Sequence, residues 1–497
     1  MIKNKTKKVL EILNTLKEAI EYIYLNIDKD YKFMSEISLE AINIIENALN
    51  KSKRSDNQID RLLNIIKKDM YNLHTRINFT SEDINICNRL ISNIQEAIKL
   101  AEKRLNEKLN IVFMPYNAYM WNSLESIWKE ALLDDECNCY VVPIPYYKLI
   151  DRPDGKVEGI FTYEGDLLPD YVDVINYNEF DLSKIKPDII YIHNQYDDCN
   201  NATRVHSDYF SQNLKKYTNH LVYSTYATLG AVQTWFYKPF YSLIASRKFD
   251  KVIVQSDVFK FIAKLYGVDE NTIIPFGTPK FDALFNSLNN DSLNNDELVI
   301  KFKDKTVFLW ATNLMKIIRG RDSALDEIES LFDIIKKNKD LALIYRPHPL
   351  ELSYVKSKAP ECFDRYMSLL KDFEKFENLE LDMNPSYYES FKISDALIAD
   401  TSSLILEYIA TDKPILIYDK YIKRKDYSDK IFDMFTNYIV GEDDMTVEKF
   451  IDLVVNKKDT KRNERWNTLK NAVANLEGTC GEKIYKRVKM DVMNNYY

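Results

Sequence analysis

Apolar residues in the first part of the chain recur every three or four positions. Val9, Leu13, Leu16, Ile20 and Ile23 form one stripe, and Ile84, Cys87, Ile91, Ile94, Ile98, Ala101 and Leu105 form another. This is the period of an α-helix with one buried face, and neither run contains Pro or Gly. Two further helices are expected over 34–49 and 59–77, and Thr80 with Asp83 three residues on reads as a capping box opening the last helix. Helices striped in this way bury their faces against one another, so residues 1–108 are expected to form a helical bundle or coiled coil.

The period changes at Leu109. Short apolar runs at 109–114, 139–144, 171–175, 188–192, 221–224, 251–255 and 272–276 alternate with helical patterns, and a polar turn falls near 151–155. Alternating strand and helix builds a parallel, doubly wound sheet. The stretch NSLNNDSLNND, 286–296, is the most linker-like in the chain. A second alternation follows, with strands at 306–310, 341–345, 379–381, 396–399 and 415–418. The expected fold class is therefore α/β, with two tandem Rossmann-like domains behind an α-helical N-terminal domain. The expected boundaries are 1–108, 109–290 and 291–440, with helices over 441–497 packing on the Rossmann domains.

Composition narrows the function classes. Charged residues are 29% and apolar ones 45% of 497, as in an ordinary soluble protein, and the net charge of −8 gives no general attraction to nucleic acid. The six cysteines are scattered, and the lone Cys137-x-Cys139 pair has no histidine beside it, so no metal site is expected. The N-terminus lacks a signal-peptide run, and the longest uncharged run, 220–237, contains Ser, Thr, Gln and Gly, so a cytoplasmic location is expected.

Candidate chemistry gathers in the second alternation. Residues 394–418, SDALIADTSSLILEYIATDKPILIY, read as strand, polar turn, helix and strand. The turn Asp400-Thr401-Ser402-Ser403 is either an ordinary helix cap or a phosphate site built from backbone N–H groups and hydroxyls. Glu407, one helical turn further on, is placed to reach a ribose hydroxyl. Tyr345-Arg346-Pro347-His348-Pro349 follows the second strand of this half; its prolines hold the loop extended, Arg346 offers a fork for phosphate oxygens, and His348 can donate or transfer a proton. The bland alternatives are a surface ion pair for Arg346 and a loop-capping bond for His348.

Taken in order, Gly277-Thr278-Pro279-Lys280-Phe281-Asp282, the RPHP loop, and the Asp400–Ser403 turn with Asp412-Lys413-Pro414 behind it resemble the CDP-glycerol glycerophosphotransferase family of teichoic-acid and capsule polysaccharide synthesis. The likeness runs through roughly 250–420. It implies a GT-B arrangement of the two Rossmann-like domains and transfer of glycerol phosphate, or ribitol phosphate, from a CDP-linked donor to an acceptor hydroxyl, with CMP leaving. It implies that Arg346 and His348 hold the donor pyrophosphate, that Thr401, Ser402 and Ser403 receive a phosphate, that Glu407 lies near the ribose, and that Gly277 and Lys280 belong to the donor site. It also implies no metal and no cofactor beyond the CDP-linked substrate. The acceptor would be a polymer or lipid-linked molecule, reached at the inner face of the membrane through the helical region. Lys51, Lys53, Arg54, Lys67 and Lys68 read first as an ordinary solvated helix surface and second as a basic face towards anionic lipid. Self-association of the helical region into a homo-oligomer fits the same stripes.

One departure stands out. Members of the family usually carry His-Gly-Thr before the strand at 251–255, and its histidine is the expected base; here 221–230 reads LVYSTYATLG. The nearby alternatives are His193, His206 and His220, and His193 is best placed because a strand's carboxyl end opens into the cleft, with a purely structural histidine as the bland alternative. Two rivals stand beside the transferase: a GT-B glycosyltransferase using a UDP- or CMP-sugar, and a catalytically inactive scaffold. The alditol, the acceptor and the number of transfers are not legible in the sequence.

Overall fold

The computed structural model describes residues 2–26, 31–49, 57–76, 80–105, 108–152, 154–230, 237–289, 296–384, 386–419 and 433–495. The chain divides into two compact units, one made of 1–109 with 135–138 and 486–497, the other of 110–134 with 139–485.

The first unit is built on four helices, α1 (Ile2–Leu25), α2 (Tyr31–Leu49), α3 (Asn57–His74) and α4 (Ser81–Leu105). The capping box closes as expected: the Thr80 backbone N–H donates to Asp83 Oδ2 at 2.7 Å and the Asp83 N–H donates back to the Thr80 carbonyl at 3.0 Å. The α1 stripe from Val9 to Ile23 is buried throughout. In α4 the buried face is broader than the expected stripe. Cys87, Ile94 and Ala101 are buried, but so are Ile86, Leu90 and Ala97, while Ile84, Ile91 and Ile98 are only partly covered. The reason is that α4 packs against both α1 and α3, and a helix between two neighbours needs a wider apolar arc than one seam supplies. Lys51, Lys53 and Arg54 lie outside the described residues. No helix among the described residues is long and apolar enough to cross a membrane.

The second unit contains the two Rossmann-like halves. In the first, strands β1 (Leu109–Phe113), β2 (Cys137–Val141), β5 (Ile189–Ile192), β7 (Leu221–Ser224), β8 (Lys251–Ile253) and β9 (Ile273–Ile274) form a sheet of order β2-β1-β5-β7-β8-β9. The run expected as a strand at 171–175 contributes only a single bridge, Val174 to Val141. Between the larger strands, β3 (Tyr146–Asp151), β4 (Val157–Thr162) and β6 (Thr203–Val205) form a small antiparallel sheet. Of the polar turn expected near 151–155, Asp154 and Gly155 lie between β3 and β4.

In the second half, β10 (Thr306–Ala311), β11 (Leu341–Arg346), β12 (Leu379–Leu381), β13 (Ala396–Ala399), β14 (Ile415–Ile417) and β15 (Tyr438–Ile439) pair in the order β12-β11-β10-β13-β14-β15, all parallel. Every residue of β11 is buried, as is expected of a strand covered on both faces. The helices Val447–Val455 and Arg462–Ala472 complete its two faces, with Phe450 on one and Leu469 on the other. The last helix, Cys480–Asn495, is cut by the division, its end from Lys486 falling with the helical unit.

The segment Gly277–Asp282, from which the family likeness placed Gly277 and Lys280 in the donor site, works as a junction. Gly277 has φ +97°, and a Cβ there would run into the carbonyl oxygen of Ala474. Asp282 accepts from the Cys480 N–H at 3.0 Å and the Gly481 N–H at 2.6 Å, so its buried carboxylate caps the C-terminal helix. Gly277→Ala should therefore lower unfolding stability by roughly 1–3 kcal/mol, combining left-handed strain with the clash. Urea titration of both proteins checks this, and equal midpoints would show that 474–481 does not pack against Gly277.

Candidate functional site

Strands β11, β10 and β13 are neighbours about 4.8 Å apart, so the segments that leave their carboxyl ends share one rim. Counted along this half, the strand order is 3-2-1-4-5-6, and it reverses direction between β10 and β13. Loops part there and leave a crevice for ligands.

The crevice is organised by Asp400, directly after β13. Its Oδ2 accepts from the Asn313 N–H at 2.9 Å and its Oδ1 from Lys316 Nζ at 2.9 Å, joining the β10 and β13 loops. Lys316 also meets Glu327 at 3.1 Å and lies over the rings of Tyr418 and Trp310. Burial alone would pull the lysine pKa down, but the two carboxylates more than offset it and hold the ammonium charged above its ordinary value. A cavity of about 40 Å³ remains between these groups, room for a water molecule and far too little for a nucleotide. Sequence reasoning missed Lys316; its one signal is a lysine a few residues beyond an apolar strand.

The RPHP loop leaves β11. Arg346 is 7% exposed, and its guanidinium is spent on the loop after β12: Nη1 to Asp382 Oδ2 at 2.7 Å, Nη2 to the Asn384 carbonyl at 2.8 Å, with the Tyr387 ring 5.6 Å away. The expectation set Arg346 on a phosphate; in this conformation it instead holds Asp382, Asn384 and Tyr387. A planar fork beside a carboxylate and two carbonyls is the local chemistry that decides this. His348 is half-buried, its Nδ1 accepting from the Leu350 N–H at 3.1 Å. Burial lowers its pKa, so the ring is neutral near pH 7 and carries its proton on Nε2. Below it the buried Glu351 accepts from Tyr366 at 2.6 Å and Thr312 at 2.7 Å, tying the β10 and β11 loops together.

Thr401 and Ser403 of the polar turn are exposed, and Thr401 Oγ1 donates to Asp419 at 3.0 Å. Ser402 Oγ is buried without a hydrogen-bond partner, and the Ser403 side chain makes no cap bond. The ordinary-cap reading of this tetrad is thus not what the side chains do. The helix behind it, Leu404–Ile409, is only six residues long, so the hydroxyls contribute more than its small dipole. Glu407 is 1% exposed and accepts from Thr228 Oγ1 at 2.6 Å, Lys280 Nζ at 2.8 Å and the Tyr387 hydroxyl. Glu407, expected near a ribose, and Lys280, expected in the donor site, are here engaged with each other. Among the described residues no group of three or more His, Cys, Asp and Glu is placed to hold a metal ion.

A family model described as CDP-Glycerol:Poly(glycerophosphate) glycerophosphotransferase matches residues 232–490, just over half of the chain. The chain belongs to this family. It is 28% identical over 223 residues to the teichoic acid poly(ribitol-phosphate) polymerase of Bacillus spizizenii (strain ATCC 23059 / NRRL B-14472 / W23), covering 43% of this chain and 33% of that one. It is 25% identical over 234 residues to the teichoic acid ribitol-phosphate polymerase TarL of Staphylococcus aureus (strain NCTC 8325 / PS 47), covering 44% and 38%. The chain thus spans only a third or so of the length of these curated relatives. Among solved structures, a Listeria monocytogenes protein assigned as a UDP-N-acetylglucosamine 2-epimerase superposes with a TM-score of 0.50 at 14% identity, over 77% of this chain and 96% of that one, which shows a shared fold.

The matched glycerophosphotransferase segment contains Gly277, Lys280, Arg346, His348, Thr401, Ser402, Ser403 and Glu407, while His193 lies before it. His193 follows β5, where the first sheet changes direction between β1 and β5, as expected. Only 1% exposed, it accepts the Tyr116 N–H on Nε2 at 3.2 Å, so Nδ1 carries the proton towards Ser123 Oγ at 3.1 Å and the Met120 carbonyl at 3.3 Å. Burial drives its pKa down to about 4. Both ring nitrogens are occupied, so this conformation does not support His193 as the base; packing around a neutral ring is what it supports.

That neutral ring has a measurable consequence. In the unfolded chain His193 titrates near its ordinary value of 6.5, and in the fold near 4. As pH falls the unfolded state takes up the proton first. The contribution is complete above pH 6.5 and is lost between 6.5 and 4, by roughly 1.4 kcal/mol per pH unit. Urea unfolding at pH 7 and pH 5 should show wild type losing roughly 2 kcal/mol more than His193→Gln over that interval. Equal losses would mean that His193 is solvated and protonates in the fold.

Proposed function

We propose that this chain transfers an alditol phosphate, glycerol phosphate or ribitol phosphate, from a CDP-linked donor to an acceptor hydroxyl in cell-surface polymer synthesis. The observation that carries this is the family match itself, which spans the whole of the second Rossmann half, from its approach through β10 to β15 and beyond. The curated relatives are polymerases of ribitol phosphate, which favours a CDP-alditol over a UDP- or CMP-sugar as donor. A lipid-linked or polymeric acceptor belongs to the same reading, as does working against the membrane face.

In the reaction the acceptor oxygen forms a bond to the distal phosphorus while the bond from that phosphorus to the bridging oxygen breaks. CMP leaves with the bridging oxygen, and the hydroxyl proton passes to solvent water. Such a transfer needs positioning and charge stabilisation more than covalent help from the protein. His348 on the β11 loop and Thr401, Ser402 and Ser403 on the β13 turn lie two strand spacings apart, about 10 Å, a span suited to a pyrophosphate. In this role the His348 Nε2–H donates to a phosphate oxygen and Ser402 Oγ gains the partner that it lacks. Glu407 reaches the ribose once it releases Lys280 or Thr228.

Isothermal calorimetry with CDP-glycerol, CDP-ribitol, UDP-glucose and CMP-sialic acid tests this reading. A cytidine diphosphate donor should bind, UDP-glucose should not, and His348→Ala should weaken CDP binding roughly tenfold, the value of a hydrogen bond to a charged group. Absence of binding by every cytidine nucleotide, or equal binding of UDP-glucose, would refute it.

A further inference from the structure

The two oxygens of the Glu407 carboxylate are held from different sides. Oε1 accepts from Thr228 Oγ1 at 2.6 Å and from Lys280 Nζ at 2.8 Å, while Oε2 accepts from the Tyr387 hydroxyl. Thr228 follows β7 of the first sheet, and Lys280 begins the helix Pro279–Asn289 that follows its last strand. Both partners of Oε1 thus lie outside the second half, which carries Glu407 on its helix Leu404–Ile409. Tyr387 stands between β12 and the helix Tyr388–Ile393, in the same half as Glu407. A donor ribose arriving at this carboxylate competes for Oε1 with groups from across the cleft, and Oε2 keeps its tyrosine.

Tyr387 is itself fixed by Arg346. Guanidinium Nη1 donates to Asp382 Oδ2 at 2.7 Å and to the Ser386 carbonyl at 3.4 Å, Nη2 donates to the Asn384 carbonyl at 2.8 Å, and the guanidinium carbon lies 5.6 Å from the Tyr387 ring. Asp382 also accepts from Ser390 Oγ at 2.5 Å, which ties the loop to the helix behind it. The Tyr387 ring packs against Tyr388 and Phe391, each centroid 4.9 Å away. Burial, and the Glu407 carboxylate beside it, push the tyrosine hydroxyl well above its usual pKa, so it keeps its proton and donates it to Oε2. Tyr387 also borders a cavity of about 640 Å³ between the halves, which Tyr119, Trp121, Glu125 and Lys129 line from the first half.

We propose that Tyr387 and Arg346 are positioning residues of the donor site, which hold Glu407 Oε2 so that Oε1 is presented to the ribose hydroxyls. Arg346 then acts on the nucleoside end of the donor, through Tyr387, and not on its phosphates. The last torsion of a glutamate has broad wells, so an unanchored carboxylate swings and its oxygens lose their aim. A carboxylate with one oxygen fixed presents the other in a single direction, and selectivity for ribose is set by two residues that do not touch the sugar. The inference rests on the transferase reading and deepens it by assigning the residues that govern ribose recognition.

Calorimetry of the full chain with CDP and with its 2′,3′-dideoxy analogue tests this in wild type, Tyr387→Phe and Arg346→Lys. Wild type should bind CDP roughly tenfold more tightly than the dideoxy compound, the value of a hydrogen bond to a charged group. Tyr387→Phe removes one oxygen and keeps the packed ring, while Arg346→Lys keeps the charge and loses the fork. Each should lower the ratio to roughly two by weakening CDP alone, with the dideoxy compound bound as in wild type. A direct contact of Arg346 with phosphate, or a merely structural part for both residues, would weaken the two nucleotides alike, and that result overturns the proposal. So does an unchanged ratio in Tyr387→Phe, whatever Arg346→Lys does. Wild type binding both nucleotides equally overturns the proposal and leaves the donor reading standing, whereas wild type binding neither overturns both.

Discussion

A carboxylate buried to 1% exposure has to be paid back in hydrogen bonds and countercharge, and Glu407 draws its three from three different segments. Thr228 follows the central strands of the first sheet, Lys280 opens the helix between the halves, and Tyr387 stands on the loop after β12. Removing one partner of such a buried pair typically costs about 3–5 kcal/mol. The approach of the two Rossmann halves is thereby tied to one side chain. Tyr387 in turn sits over Arg346, whose fork fixes the loop through Asp382, and its neighbour Tyr388 receives the Asn122 amide. The cleft is a chain of linked contacts, from β7 through Glu407 to β12 and back to β1.

This arrangement separates two kinds of chemistry along one rim. At the junction of β10 and β13, Lys316 and Asp400 neutralise each other and brace the loops, and in the proposed reading His348 and the hydroxyls of 401–403 are the groups that meet a pyrophosphate. Two strands away, the aromatic and amide wall after β12 carries Glu389 and, across the cavity, Glu125 against Lys129. Glu407 lies between the two regions, and a donor ribose would compete with Lys280 and Thr228 for it, linking donor arrival to the contact between the halves.

Much of the fold was legible because burial leaves a periodic trace. The strand runs 341–345 and 396–399 are continuous apolar stretches covered on both faces, and both appear as strands in the second sheet. The run 171–175 failed because apolar character alone does not create a neighbour, and only Val174 finds one. The site was legible in position more than in role. Arg346, His348 and the 400–403 turn do lie on one rim, as strand order requires. Arg346 nonetheless turns inward, because Asp382 is 36 residues away in sequence and close only after β11 pairs with β12. Nothing local marks Tyr387 or Lys316 either. His193 was found by the rule for strand ends, yet burial, which no single residue announces, decides its chemistry.

The central claim is that a cytidine diphosphate is held on the rim of the second sheet between the β11 loop and the β13 turn. A crystal structure of the protein with CDP tests it directly. The account predicts diphosphate density within hydrogen-bonding distance of His348 Nε2 and the hydroxyls of residues 401–403, with Glu407 turned to the ribose. CDP seated instead against Trp121 and Tyr119, or at the edge of the first sheet, would contradict it.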